Sequence, residues 1–150
     1  MIQRIQTVYM LLVMVLMIVS MILPVGTLVG PDQSMCEFHN LYIAQAEGAK
    51  DYAPWALFAV LLIVAVLSLV NIFLFKKRML QIRLCIFGNI LLFGYYLMLI
   101  AFVNMMPAAD TAFSMSLSVC NPFIAIILNW LAIRAIGKDE MLVRAYDRLR

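Results

Sequence analysis

Histidine occurs once in this chain, at His39, and four long stretches carry no acidic or basic side chain at all. Each shortage closes off a class of function. A zinc site needs four protein ligands, or three and a water, and Cys36 with His39 supplies two; no second CxxC or HxxxH spacing joins them. Three cysteines cannot complete a disulfide set. Cys85 and Cys120 sit in apolar runs, where they read as small hydrophobes, and Cys36 stands alone in a loop. Ser114, Ser116, Ser118 and Cys120 could serve as nucleophiles only with a base beside them, and no long apolar run contains a histidine. The six glycines form no phosphate-cradling loop of Walker or Rossmann spacing. The expectation is therefore a non-enzymatic protein with no metal and no cofactor. Charged residues make up 13% of the chain against 66% hydrophobic. That balance excludes an ordinary soluble domain, where charge runs near 25%.

What is present in quantity is hydrocarbon. Mean hydropathy is +1.02, and the uncharged runs cover roughly residues 8–29, 54–75, 84–103 and 112–133. Each approaches the ~20 residues that a helix needs to cross a bilayer core of about 30 Å. Inside that core the backbone must satisfy its own hydrogen bonds, and the ~10-residue alternation of a membrane barrel is missing, so helix is the expected form. The fold class predicted is all-α, a four-helix transmembrane bundle forming a single domain over residues 1–150, with a short cytoplasmic amphipathic helix at its C-terminal end. The first run, although preceded by Arg4, is longer than a signal-peptide core, and LPVGTLVG offers no A-x-A-like cleavage site.

Charge gives the orientation. Arg4, then Lys76, Lys77, Arg78 and Arg83, then Arg134, Lys138, Arg144, Arg148 and Arg150 all fall on one side of four spans, which places ten of the eleven basic residues together. Lys50 is alone on the other side, among Asp32, Glu37, Glu47, Asp51 and Asp110. The positive-inside rule then puts both termini, the KKRMLQIR loop and the tail 134–150 in the cytoplasm. Tyr9, Tyr52, Trp55 and Trp130 suit interfacial aromatic belts. The outer loop 30–53 opens with turn chemistry, GPDQS, and a short helix ending near Gly48 is expected in it. The basic residues hug the spans, so a cytoplasmic rim accounts for them and nucleic acid is not an expected partner.

Polar side chains inside the runs are the candidate sites. Asn71 lies five residues before Lys76, Asn89 six after Arg83 and Asn129 five before Arg134, which sets all three about 7–9 Å inside the cytoplasmic ends of their helices. Such a layer would hydrogen-bond between helices. Tyr95, Tyr96 and Asn121 share a second, deeper level, 12 to 13 residues from the nearest boundary arginine. Pro122 falls within the fourth run and is expected to bend that helix by freeing the Ser118 carbonyl. After Gly137, Leu142, Ala145, Tyr146 and Leu149 form an apolar stripe with Arg144 and Arg148 at its edge. Leu142, Arg144, Tyr146, Arg148 and Leu149 are the expected contacts with the inner membrane surface or a partner.

The opening MIQRIQTVYMLLV, the central NIFLFKKRMLQIRLC and the closing LAIRAIGKDEMLVRAYDRLR together resemble the domain of unknown function 4293 family over essentially the whole chain. The resemblance implies a small integral protein of a Gram-negative bacterial inner membrane and carries no catalytic residue with it. The expected partners are the lipid bilayer and a membrane-protein partner or further copies of the chain. Two functions follow from the residues: a scaffold or accessory subunit of a membrane complex, or a small passive channel or lipid/solute-binding carrier lined by the Asn and Tyr layers. The uncharged spans argue against a coupled carrier, which needs ionisable groups at depth.

Overall fold

In the computed structural model, which describes residues 3–29, 35–44, 48–74, 77–105 and 112–148, the chain is mainly helical. Helix α1 spans Gln3–Ile22, α2 Trp55–Phe73, α3 Arg78–Met105 and α4 Cys120–Arg148. All four are long and apolar enough to cross a membrane. α1 packs on α2 and α4, and α3 on α2 and α4, so the helices form a ring in chain order, up, down, up, down.

The register of the bundle is written in its buried positions. α1 buries Gln6, Met10, Val13, Met17 and Ser20; α2 buries the stripe Leu57, Leu61, Val64, Ser68 and Asn71, with Ala65 buried beside Val64. α3 buries Gln81, Cys85, Gly88, Leu92, Tyr95 and Leu99. α4 buries Pro122, Ala125, Asn129, Ala132, Ile136 and Asp139. Every stripe advances by alternating steps of three and four residues, the 3.5-residue period of helices that cross at small angles and interdigitate like a coiled coil. The small residues Gly88, Ala125 and Ala132 on facing stripes let backbones approach, as membrane bundles require.

The apolar runs overshoot the helices at the end opposite the termini. The first run was expected to be helical to residue 29, but α1 stops at Ile22 because Pro24 bars the residue before it from helical geometry. Residues 26–29 instead become strand β1 (Gly26–Val29). The fourth run was expected to be helical from residue 112. It begins as β5 (Ala112–Met115), passes through a 3-10 turn (Leu117–Val119) and enters α4 only at Cys120. The helix expected near Gly48 is also replaced by strands: β2 (Met35–Phe38), β3 (Ile43–Ala44) and β4 (Lys50–Asp51).

These five strands make one antiparallel sheet in the order β4-β3-β2-β1-β5, closing that end of the bundle. Gly26 faces Met115 across the β1–β5 pair, and a Cβ there would stand 2.5 Å from the Ser114 carbonyl oxygen. Only glycine lets the two strands meet. Pro122 does not bend a span, because it occupies the first turn of α4, where its missing amide has no helical partner to lose. The C-terminal amphipathic stretch is helical, but it is the direct continuation of α4 rather than a separate helix set off by Gly137. Ile136 and Asp139 remain on the buried stripe across that glycine, and helix-forming residues follow it.

Candidate functional site: three polar belts and two basic grooves

Among the described residues, the buried side-chain hydrogen bonds that join one element to another fall into three belts along the bundle. At the sheet end, the Tyr95 hydroxyl donates to Asn40 Oδ1 at 2.8 Å, and Asn40 Nδ2 donates to the Ser20 carbonyl at 2.7 Å. Asn40 is 1% exposed, so its amide is fully enclosed. The Tyr96 hydroxyl donates to the Val119 carbonyl at 2.7 Å, and the Ser118 hydroxyl donates to the Pro24 carbonyl. Phe38, buried beneath the sheet, meets Phe113 edge to face with ring centres 6.0 Å apart. The belt therefore ties the sheet to α1, α3 and the entry of α4. Of the expected deep layer, Tyr95 and Tyr96 stack in a T shape but send their hydroxyls elsewhere, and Asn121 is half-buried in the first turn of α4.

The middle belt contains two of the three expected asparagines. Asn71 Nδ2 donates to the Gln81 carbonyl at 3.3 Å and lies 3.0 Å from Cys85 Sγ, while Gln81 Nε2 donates to the Asn71 carbonyl at 2.9 Å. Each side chain thus serves the other's backbone, clasping α2 to α3. Asn129 is buried beside Gly88, where a Cβ would stand 3.6 Å from its Nδ2. Asn71, Asn129, Ser68 and Cys85 line a void of about 10 Å³. One water molecule is the most that such a space holds. Asn89 is half-buried on the edge of the α3 stripe, and its buried amide oxygen, like that of Asn71, accepts no hydrogen bond from the described residues.

A third belt lies at the basic end. Asp139 is 7% exposed and accepts a hydrogen bond from Gln6 Nε2 at 2.5 Å, joining α1 to α4. Arg78 Nη1 donates to the Asp139 carbonyl at 3.0 Å and so joins α3 to the same point. On either side of this junction a groove opens. The α3–α4 groove, about 630 Å³, is lined by Lys77, Arg78, Arg83 and Glu140 with Met79, Leu80 and Val143. The α1–α4 cleft, about 440 Å³, presents Arg134 and Lys138 above Ile5, Tyr9, Leu131 and Ala135. Leu142 forms its outer lip and is 52% exposed. Arg144, Tyr146 and Arg148 belong to α4, but their side chains, and all of Leu149, lie outside the described residues.

Gln6, Asn40, Gln81 and Asp139 do not figure among the residues singled out from the sequence. Three of them carried a usable signal: Gln6, Gln81 and Asp139 each fall in phase with an apolar stripe of their own helix, at three- and four-residue steps. Asn40 sits in a loop between short strands, where no periodicity reports burial. The lone histidine lies in the same region; its Nε2 is 3.2 Å from a Glu37 carboxylate oxygen, and its ring stacks on Tyr42.

Residues 2–149 match the family described as a domain of unknown function (DUF4293). The chain belongs to that family. No curated protein matches the chain. Membership covers all three belts and both grooves, so the bundle and its sheet cap are the family domain itself rather than an addition to it.

Proposed function

We propose that this family member is a non-enzymatic integral protein of a bacterial inner membrane, with both termini cytoplasmic, acting as a scaffold or accessory subunit of a membrane complex. The observation that carries the reading is how the polar groups are spent. The belts use their hydrogen bonds to tie helix to helix, and Val13, Met17, Leu57, Leu61, Val64 and Leu92, each fully buried, fill the interior between the middle and sheet-end belts. A packed apolar section of this kind favours a structural role over a conducting one. The orientation is supported by the gathering of basic side chains at the end where Asp139 meets Gln6 and Arg78.

A surface for such a partner is offered by the end of α4. Its 29 residues extend about 43 Å, well beyond a 30 Å hydrocarbon core. Past Asp139 it carries Met141, Leu142 and Val143, exposed at 75%, 52% and 43%. Apolar side chains exposed at the projecting end of a long helix form a surface that contact with a partner buries. Purification in mild detergent through an N-terminal tag tests this. A stoichiometric partner should accompany the full chain and be lost from a chain truncated after Glu140. Recovery of the full chain alone, at native expression, rejects the scaffold reading. A solute flux through reconstituted vesicles that depends on Asn71 and Asn129 would instead favour a passive channel.

A further inference from the structure

The α1–α4 cleft differs from the rest of the surface in what it places side by side. Along α4, Phe123, Ile124, Ile127, Trp130 and Leu131 form a continuous exposed apolar surface. That surface stops at the cleft, where Arg134 and Lys138 stand one turn apart, about 6 Å along the axis. The guanidinium of Arg134 lies over the Trp130 ring, 5.0 Å from its centre, which holds the cation at the boundary and leaves the edge of the guanidinium for another acceptor. Among the described residues neither Arg134 nor Lys138 takes part in an ion pair. The one carboxylate in the lining, Asp139, is buried and engaged by Gln6. The opposite groove is different: Glu140 shares it with the cations, and Arg78 is bonded to a backbone carbonyl.

We propose that the α1–α4 cleft binds one anionic phospholipid of the surrounding leaflet, its phosphate held between Arg134 and Lys138 and an acyl chain laid along Leu131 and the ring of Tyr9. Basic pockets between helices at the end of a span are suited to acidic headgroups. Here the two cations provide the charge, and the apolar floor that continues toward Ile127 provides the path for the chain. A soluble anion would find the same cations but gain nothing from the floor. The site rests on the membrane placement proposed above and is independent of any protein partner.

Trp130, under the Arg134 guanidinium at the edge of the cleft, reports on its occupancy. With Trp55→Phe it is the remaining tryptophan, and the protein can be placed in nanodiscs containing phosphatidylglycerol or phosphatidylcholine with brominated acyl chains. Phosphatidylglycerol should quench Trp130 with an apparent affinity about tenfold or more above phosphatidylcholine, given two cations near the headgroup. Lys138→Gln, which removes no hydrogen bond or ion pair among the described residues, should reduce that preference about fivefold. Lys77→Gln with Arg83→Gln, in the opposite groove, should leave it within about twofold. Excess inorganic phosphate should not abolish it. Equal quenching by the two lipids overturns the lipid site while leaving the membrane placement intact, and absence of quenching by either overturns the placement itself. Loss of preference in the Lys77/Arg83 variant to the same degree would make the effect a general property of the basic rim and also reject the site. Displacement by inorganic phosphate would reassign the cleft to a soluble anion.

Discussion

Tyr95 and Asn40 are separated by 55 residues and meet through one hydrogen bond of 2.8 Å between buried groups. The asparagine uses its other end on the Ser20 carbonyl, and the Ser20 hydroxyl turns back to Leu16 of its own helix. Removing one member of such a chain leaves another buried and unpaired, which costs more than the bond itself contributes. Tyr95→Phe should therefore destabilise the protein by about 1–3 kcal/mol. Tyr96→Phe, whose half-buried hydroxyl serves a backbone carbonyl, should cost less, about 0.5–1.5 kcal/mol. Thermal unfolding of the two variants in one detergent orders them, and a larger loss for Tyr96→Phe would contradict this account. Tyr95 was legible in the sequence as a polar residue at depth, but its partner was not. Asn40 gains its importance from a loop fold that brings it over the bundle, and nothing in its neighbours' spacing marks it.

Among the elements, the helices follow from their stripes and the sheet follows from where the helices fail. Pro24 ends α1, and the residues after it, rich in Val, Thr and Leu, suit a pleated surface as well as a helix. Pairing with β2 and β5 settles the choice, at the expense of a glycine at the tightest crossing. Gly26→Val should separate β1 from β5, because the added carbon meets the Ser114 carbonyl and the Phe113 ring within 2.8 Å. Amide hydrogen exchange across Phe113 to Met115 should accelerate by at least tenfold, and unchanged protection would show that the pair tolerates a side chain. Pro122 gives the opposite expectation. At the first turn of α4 its replacement by alanine should change stability by less than about 1 kcal/mol, whereas the removal of an interior kink would change it by ~3 kcal/mol. Thermal unfolding distinguishes the two. The first and fourth apolar runs were legible as buried segments but not as strands at their ends. An uninterrupted apolar run does not distinguish a buried helix from a buried strand by periodicity.

For the whole molecule, the sheet and the basic end lie at opposite ends of one bundle, which makes a sidedness experiment decisive. A reporter active only in the cytoplasm should work when fused after Arg150 and fail when inserted near Gln45. Cys36, on β2, should react with a thiol reagent added from the periplasmic side, and a cysteine at Lys138 should react only from the cytoplasmic side. Reaction of both from one side would overturn the crossing, and the reverse pattern would overturn the orientation. Asn71 and Gln81 clasp α2 to α3 and Asn129 packs beside Gly88, while among the described residues two grooves and the projecting end of α4 face outward.

The sequence by itself determined the class and the plan: four uncharged runs of membrane-spanning length, ten basic residues gathered to one side, and a family match over residues 2–149. Those features are legible because the cost of charge and of unpaired backbone in hydrocarbon acts on each segment separately, without reference to its neighbours. The tertiary structure alone decided that residues 26–29 and 112–115 form strands, that Asp139 is buried against Gln6, and that Asn40 closes over Tyr95. Each of these depends on a partner tens of residues away, and a hydrogen bond has no meaning for a chain until folding has brought donor and acceptor within about 3 Å of one another.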